Sequence, residues 1–261
     1  MITSTQNSKV KEIRQLQTRA KARKKHHAFV VEGVRLCEEA LAAGMPVRYG
    51  LHAPDLSERG MALVAGLAQR GIAIEAAAEY VIQAVSETKT PQGILLVLEA
   101  DPLPLPEKPS LVLVLDRISD PGNLGSLLRT AAAAGVEAAL LSEGCTDIFS
   151  PKVVRAGMGA HFRLPAAVLS DEEIIQVCKR WGVQLWASVM GQGVAHTLAA
   201  LDQPSALIVG SEADGVSGVL LRAAKPLHIP MPGGSESLNA AAAGAILVYE
   251  ALRQRDETTQ N

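Results

Sequence analysis

The sequence predicts an α/β protein in two parts, a small N-terminal α/β domain followed by a larger C-terminal α/β domain on a mostly parallel sheet. Three observations carry this. Apolar runs of strand length alternate with stretches of helical periodicity along the whole chain. The segment Asp101-Pro-Leu-Pro-Leu-Pro-Glu-Lys-Pro109 places four prolines in eight positions, which removes backbone donors and enforces an extended linker. The 261 residues are 48% hydrophobic and 20% charged, a globular composition long enough for two domains with cores of their own. The expected division is residues 1–100, a linker at 101–109, and residues 110–261.

In the first part a basic helix starts near Ser8. Strand AFVVEG, helix VRLCEEALAAG, strand VRYGLHA, helix ERGMALVAGLAQRG, strand IAIEA, helix EYVIQAVSE and strand GILLVLE follow. After the linker, LVLVL is an unbroken apolar run suited to a parallel strand covered on both faces. Helix GNLGSLLRTAAAAG, strand EAALLS, helix SPKVVRAGMG and strand RLPAAVL come next. Helix DEEIIQVCKRWG has Ser170 as its cap and Glu173 three residues on, a capping box. Strands VQLWASV and SALIVGSE, helix VSGVLLRAA, strand LHIPM and the helix SLNAAAAGAILVYEALRQR complete the pattern.

Composition excludes several classes of function. No apolar run reaches the length of a membrane span, and MITSTQNSKVKEIRQ lacks the apolar segment of a secretory leader, so a cytoplasmic protein with no membrane partner is expected. Cys37, Cys145 and Cys178 are odd in number and unpaired in spacing, which argues against disulfides or zinc and reads as small buried residues. Charge is distributed unevenly. Residues 1–27 carry eight basic side chains against one acid, a net +7, which leaves 17 basic and 26 acidic residues, or −9, in the remainder. A basic arm on an acidic body suits a polyanion partner, although such a run is also compatible with a solvated helix face. Aromatic content of 3% does not supply a stacking platform for bases.

Ligand sites of parallel sheets lie beyond the carboxyl ends of the strands, and three strand exits are unusual. In Asp116-Arg-Ile-Ser-Asp-Pro-Gly-Asn-Leu-Gly-Ser-Leu-Leu-Arg129, Asp-Pro-Gly reads as a turn and Asn123 as a helix cap. Arg129, among leucines and alanines, calls for a partner or a cleft. In Ile208-Val-Gly-Ser-Glu-Ala-Asp-Gly215, Gly210 allows close approach by a ligand or another chain segment, and Glu212 offers an acceptor. In Ile229-Pro-Met-Pro-Gly-Gly-Ser-Glu-Ser-Leu-Asn239, two prolines stiffen a strand exit that leads into a helix start. Rival signatures fail. Gly157-Met-Gly-Ala-His-Phe162 lacks the third glycine of a dinucleotide fingerprint, and there is no P-loop, HExxH or GxSxG. Ser86-Glu-Thr-Lys89 fits a short SxxK pattern without its companion motifs.

Taken in order, Asn123-x-Gly125-x-x-x-Arg129, Gly210-x-Glu212-x-x-Gly215 and Ile229-Pro-Met231 with Ser237-Leu-Asn239 resemble the SpoU/TrmH family of RNA ribose 2'-O-methyltransferases, of the knotted SPOUT superfamily. The resemblance covers nearly the whole chain. Phe29-Val-Val-Glu-Gly33 and Thr90-Pro-Gln-Gly93 look like that family's ribosomal-protein-like substrate-binding domain, and Ser150-Pro-Lys-Val-Val-Arg155-Ala-Gly-Met-Gly-Ala160 also looks familial. Ala240, Ala241 and Gly157 depart mildly from the pattern.

The resemblance implies methyl transfer from S-adenosylmethionine (AdoMet) to a ribose 2'-hydroxyl, in ribosomal RNA ahead of transfer RNA, by a homodimer with a C-terminal trefoil knot and no metal. It implies cofactor contacts from Gly210, Ile229, Met231 and Leu238. Arg129 becomes the essential arginine, a position often assigned as general base. A guanidinium stays a cation in water, so binding phosphate and stabilising a developing alkoxide is the easier role. Asn123, Glu212, Ser237 and Asn239 would orient Arg129 and the substrate. Lys9, Lys11, Arg14, Arg19, Arg23 and Arg155 are the candidate RNA contacts. The rival in another class is an RNA-binding protein of the same fold without catalysis; the intact polar set at the three loops speaks against it.

Overall fold

The computed structural model describes residues 1–234 and 237–260; Ser235 and Glu236 of the third loop lie outside the described residues. Two compact units are present, residues 1–101 with 149–162, and residues 102–148 with the chain from 163 onward.

The N-terminal basic stretch is two helices where one was expected, α1 (Ser8–Thr18) and α2 (Ala20–His26). Asn7 caps α1 by accepting from the Lys9 amide, and its buried face is Val10, Ile13, Leu16 and Gln17. The helix stops because Arg19 is extended, with φ −129° and ψ 113°. That break turns Arg23 inward. Arg23 is 6% exposed and its Nη1 donates to the carbonyls of Leu16 at 2.5 Å and Gln17 at 3.3 Å. It therefore satisfies the orphan carbonyls that end α1, so Arg23 is a structural cap and not an RNA contact.

The first unit continues through β1 (Ala28–Glu32), α3 (Val34–Ala42), β2 (Val47–His52), α4 (Glu58–Gln69), β3 (Ile74–Ala76), α5 (Glu79–Val85) and β4 (Ile94–Glu99). Its sheet runs β1-β4-β2-β3. The central strand β4 is antiparallel to both neighbours and is buried from Ile94 to Leu98. Two apolar layers cover the sheet. Val30, Leu95 and Val97 face a cluster with Ile13, Leu16 and Val81, while Phe29, Val31 and Leu96 face one with Leu36, Leu63 and Leu67.

The second unit opens with β5 (Leu111–Asp116), α6 (Pro121–Ala133) and β6 (Ala138–Ser142). Helix α7 (Pro151–Gly157) belongs with the first unit. The chain returns to the second unit with β7 (Ala166–Leu169), α8 (Asp171–Trp181), β8 (Gln184–Ser188), β9 (Val194–Ala195), β10 (Ser205–Gly210), α9 (Gly218–Ala223), β11 (Lys225–His228) and α10 (Ala240–Gln260). The short β9 was not visible in the sequence. Seven strands form one sheet in the order β7-β6-β5-β10-β8-β11-β9, and every pairing in it is parallel. All six β5 residues are buried, as a strand covered on both faces requires. The capping box on α8 is present, and Gly182 ends that helix at φ 71°.

Among the described residues, no helix is long and apolar enough to cross a membrane, and no group of three His, Cys, Asp or Glu side chains could hold a metal ion. Cys37 and Cys178 are buried and Cys145 is half-buried. Burial raises the thiol pKa of Cys178 to about 12.

Candidate active site

Strand order reverses direction between β5 and β10: β6 and β7 lie on one side, β8, β11 and β9 on the other. A crevice at such a reversal, beyond the carboxyl ends of the strands, is where parallel sheets bind ligands. Both strands end in register there, Gly210 beside Asp116, and the first two unusual loops leave from this point.

The first loop starts α6. The Asp120 side chain caps the helix by accepting from the Asn123 amide at 2.8 Å, with Pro121 in the first turn. Asn123 then stands one turn in, facing the other loops. Its Nδ2 donates to Glu212 Oε1 on the β10 exit, and its Oδ1 accepts from Asn239 Nδ2 at 2.9 Å. Asn239 Oδ1 accepts from the amides of Ala241 and Ala242 at 3.0 and 3.2 Å, so Asn239 caps α10. This fixes every amide orientation in the chain of contacts. The helix amides demand the Asn239 oxygen, which leaves its NH2 for Asn123 and turns the Asn123 NH2 toward Glu212. Three residues far apart in sequence thus form one directed relay across the reversal point.

Next to the relay is a cavity of about 560 Å3, lined by Gly210, Glu212, Ile229, Met231, Ser237 and Leu238 among others. All four residues expected to contact a cofactor are in its wall. The end of β8 at Ser188 and the loop after it, with Met190 and Gln192, supply another wall that the sequence did not suggest. Gly210 is required by the chain and not by open space: a Cβ there would meet Gly215 C at 2.2 Å and Val216 N at 2.4 Å. The segment it accommodates is closed by Ser211 N to Gly215 O and Gly215 N to Ser211 O, at 3.2 and 3.0 Å.

The electrostatics of the wall are one-sided. Glu212 and Asp214 line the cavity, and among the described residues no lysine or arginine does. A pocket of this sign suits a cation over a phosphate-bearing dinucleotide. Its volume is that of a small-molecule site. Apolar side chains at Ile229, Met231 and Leu238 offer a face for a flat ring, while Ser211, Ser237 and backbone groups can fix its polar edge. The residues therefore fit AdoMet, whose sulfonium carries positive charge.

Arg129 stands apart from this assembly. It is exposed, and among the described residues it makes no hydrogen bond or ion pair and does not line the cavity. The expected need for a partner or cleft is removed by helix geometry. Leu124, Leu127, Leu128 and Ala131 form the buried stripe of α6, and the 100° step after Leu128 turns Arg129 out to solvent. Ser237 reaches the cavity wall but is not part of the relay.

One residue at the reversal point escaped the sequence reading. Asp116 is fully buried; it accepts from Ser142 Oγ at 2.8 Å, the Ser217 amide at 2.6 Å and Arg117 Nη2 at 3.1 Å. It joins the exits of β5 and β6 to the cap of α9. Its only sequence signal is an acid closing an otherwise apolar strand.

The profile of the SpoU rRNA Methylase family matches residues 110–249. The chain belongs to the SpoU rRNA methylase family. A second profile, the MRM3-like substrate binding domain, matches residues 7–96. The SpoU chain is 35% identical over 251 residues to 23S rRNA (guanosine(2553)-2'-O)-methyltransferase RlmP of Bacillus subtilis, covering 95% of this chain and 97% of that protein. It is 31% identical to the 23S rRNA (uridine(2479)-2'-O)-methyltransferase of Streptomyces viridochromogenes, covering 87% and 83%. The crystal structure of an AdoMet-bound rRNA methyltransferase from Sinorhizobium meliloti matches with a TM-score of 0.87 at 32% identity, covering 97% of both chains.

The candidate RNA contacts are distributed over the other unit. Lys11, Arg14 and Arg19 are exposed. Lys9 is committed in part: its Nζ bonds Glu75 at 2.5 Å and sits 5.0 Å from the centre of the Tyr49 ring. Arg155, on α7, has a buried Nη1 with no hydrogen-bond partner.

Proposed function

We propose that this protein transfers a methyl group from AdoMet to a ribose 2'-hydroxyl of ribosomal RNA. The observation that carries the reading is the Glu212–Asn123–Asn239 relay beside an acidic cavity lined by Gly210, Ile229, Met231 and Leu238. AdoMet supplies an electrophilic methyl on a sulfonium that leaves as a neutral thioether. The protein's task is to hold the hydroxyl in line and stabilise the charge that develops on its oxygen. Asn123 and Asn239 fix the third loop against α6, and Ser237, on that loop, is one of the residues that line the cavity. Arg129, exposed two turns along α6, is a free cation for the RNA phosphate and the developing alkoxide.

Ribosomal RNA is favoured over transfer RNA because the curated relatives reported above are named for 23S rRNA and a substrate-binding domain precedes the SpoU domain. Their names give a guanosine and a uridine, so the ribose and the RNA fold, more than the base, are what the shared site addresses. The reading includes a homodimer through α10, where Ile246 and Tyr249 are 38% and 50% exposed, and a knotted C-terminal segment. Light scattering on the purified protein tests the dimer.

Incubation with methyl-labelled AdoMet and ribosomal or transfer RNA tests the activity. Label is expected in ribosomal RNA, as a 2'-O-methylated nucleoside, and to be lost in Arg129→Ala. RNA binding without label transfer by the wild type would replace this reading with that of a binding protein.

A further inference from the structure

The first unit contains a second cavity, of about 320 Å3, that nothing in the methyl-transfer site uses. Its walls come from the β1–α3 junction, the strap between α5 and β4, and α7, with Arg35, Leu36, Thr88, Thr90, Arg155 and Met158 among the lining residues. The walls are braced by two side chains that themselves line the cavity, Glu32 and Gln92. Glu32 accepts from the Ser86 hydroxyl, from Thr88 Oγ1 at 2.6 Å and from the Glu87 amide at 3.2 Å, which pins the strap. Gln92 Oε1 accepts from the Val34 amide at 2.9 Å, taking up a first-turn donor of α3 that Gly33 has no side chain to cap.

Two arginines, Arg35 and Arg155, are among the lining residues. Arg155 Nη1 is buried without a partner, a costly state for a charged donor unless an acceptor arrives. Arg35 is exposed on the same rim and makes no hydrogen bond or ion pair among the described residues. Arg48 and Arg59 of the same unit are paired, with Glu99 and Glu38. Leu36 and Met158 line the same cavity with apolar side chains. Two cations and two apolar side chains about one cavity, with the lining Glu32 carboxylate taken up by the Ser86, Glu87 and Thr88 donors of the strap, match one nucleotide that has left its stack: phosphate to the arginines, base to Leu36 and Met158.

We propose that this cavity holds a single unpaired nucleotide of the RNA substrate, gripped by Arg35 and Arg155. The proposal rests on the RNA reading above but concerns a different unit. It places the selective contact at α3 and α7, and leaves α1 and α2 as a non-selective basic face.

Affinity for a fluorescein-labelled single-stranded RNA 12-mer of mixed sequence, and for a 12-base-pair RNA duplex, tests this across a salt series. Arg155→Ala and Arg35→Ala are each expected to weaken single-strand binding by roughly tenfold. Each should also lower the salt slope by about one, with little effect on the duplex. Arg35 has no structural partner, so Arg35→Ala keeps the test valid if Arg155→Ala misfolds. Unchanged single-strand affinity and slope in folded Arg35→Ala overturns the proposal, and so does an equal loss on the duplex. Calorimetric AdoMet binding and label transfer by the wild type separate the two readings: activity with indifferent Arg35→Ala sinks only the nucleotide pocket, and binding with no activity sinks only the enzyme.

Discussion

Replacing Gly210 by alanine adds one methyl group at the point where the chain passes closest to itself beside the cavity. Because the new Cβ would lie 2.2 Å from Gly215 C and 2.3 Å from its oxygen, the obstacle is backbone and cannot rotate away. Relief requires the 211–215 segment to retreat by more than an ångström. Overfilling a packed site costs roughly 1–3 kcal/mol. Loss of the two hydrogen bonds between Ser211 and Gly215 adds about 0.5–1.5 kcal/mol each, so the substitution costs on the order of 2–6 kcal/mol. Gly244→Ala is the matched control. There the Cβ meets Leu127 Cδ2, also at 2.2 Å, but that atom ends a side chain that can turn, and a helical alanine returns up to about 1 kcal/mol. Both tryptophans, Trp181 and Trp186, lie in the second unit, so urea unfolding followed by tryptophan fluorescence reads its stability directly. Calorimetry on the folded fraction reads AdoMet binding. Gly210→Ala should lose both stability and AdoMet affinity, and Gly244→Ala should lose less than about 2 kcal/mol and keep affinity. A Gly210→Ala protein as stable and as tight-binding as wild type, or one less affected than Gly244→Ala, would refute the packing argument.

Further outcomes follow from the same geometry. Asn239→Asp keeps an acceptor for the α10 amides but loses the NH2 that serves Asn123, so thermal stability should hold within about 1 kcal/mol while methyl transfer falls at least tenfold; a parallel loss of melting temperature would mean that only the cap mattered. Arg23→Ala should lower the melting temperature of the protein and leave the salt slope of RNA binding unchanged, whereas joint neutralisation of Lys11, Arg14 and Arg19 should do the reverse. Glu250 is held at a pKa of about 2 by its hydrogen bonds from Arg253, against an ordinary 4.5. A depressed carboxylate stabilises the fold above its unfolded pKa and loses that contribution as pH falls through its folded one. The melting temperature should therefore drop from about pH 4.5 toward pH 2, with a shallower drop in Glu250→Gln measured by calorimetry over the same range.

Much of the site is legible in the sequence because its parts follow apolar strands that announce themselves. The runs at β5 and β10 and the helix starts at Asn123 and Asn239 are local patterns, and spacing is enough to order them. Neighbourhood is not local. Nothing in VQLWASV reveals that β8 lies beside β10, so Ser188 and Met190 went unnoticed as cavity walls. Arg23 and Arg19 look alike in a basic run, yet the break at Arg19 sends one inward to finish α1 and leaves the other in solvent. Arg129 shows the opposite error, since adjacent leucines suggested burial where helical rotation dictates exposure. Asp116 is recognisable as central only when Ser142 and Ser217 arrive from other elements.

The pairing of β5 with β10 also sets the order of events during synthesis. Asp116 waits for Ser217, 101 residues later, and Asn123 waits for Glu212 and then Asn239, 89 and 116 residues on. Arg255 reaches back 145 residues to bond Ser110, at the foot of β5. Contacts of such separation pay loop-closure entropy before they return any stability and make folding slow. Until β10 emerges, β5 has one bare edge in the middle of what will be the sheet, a surface open to wrong pairing. A ribosome stalled before residue 205 would therefore carry a first unit able to close its own sheet and a second unit with no cofactor pocket, so the chemistry is acquired only once Asn239 and the start of α10 have been made.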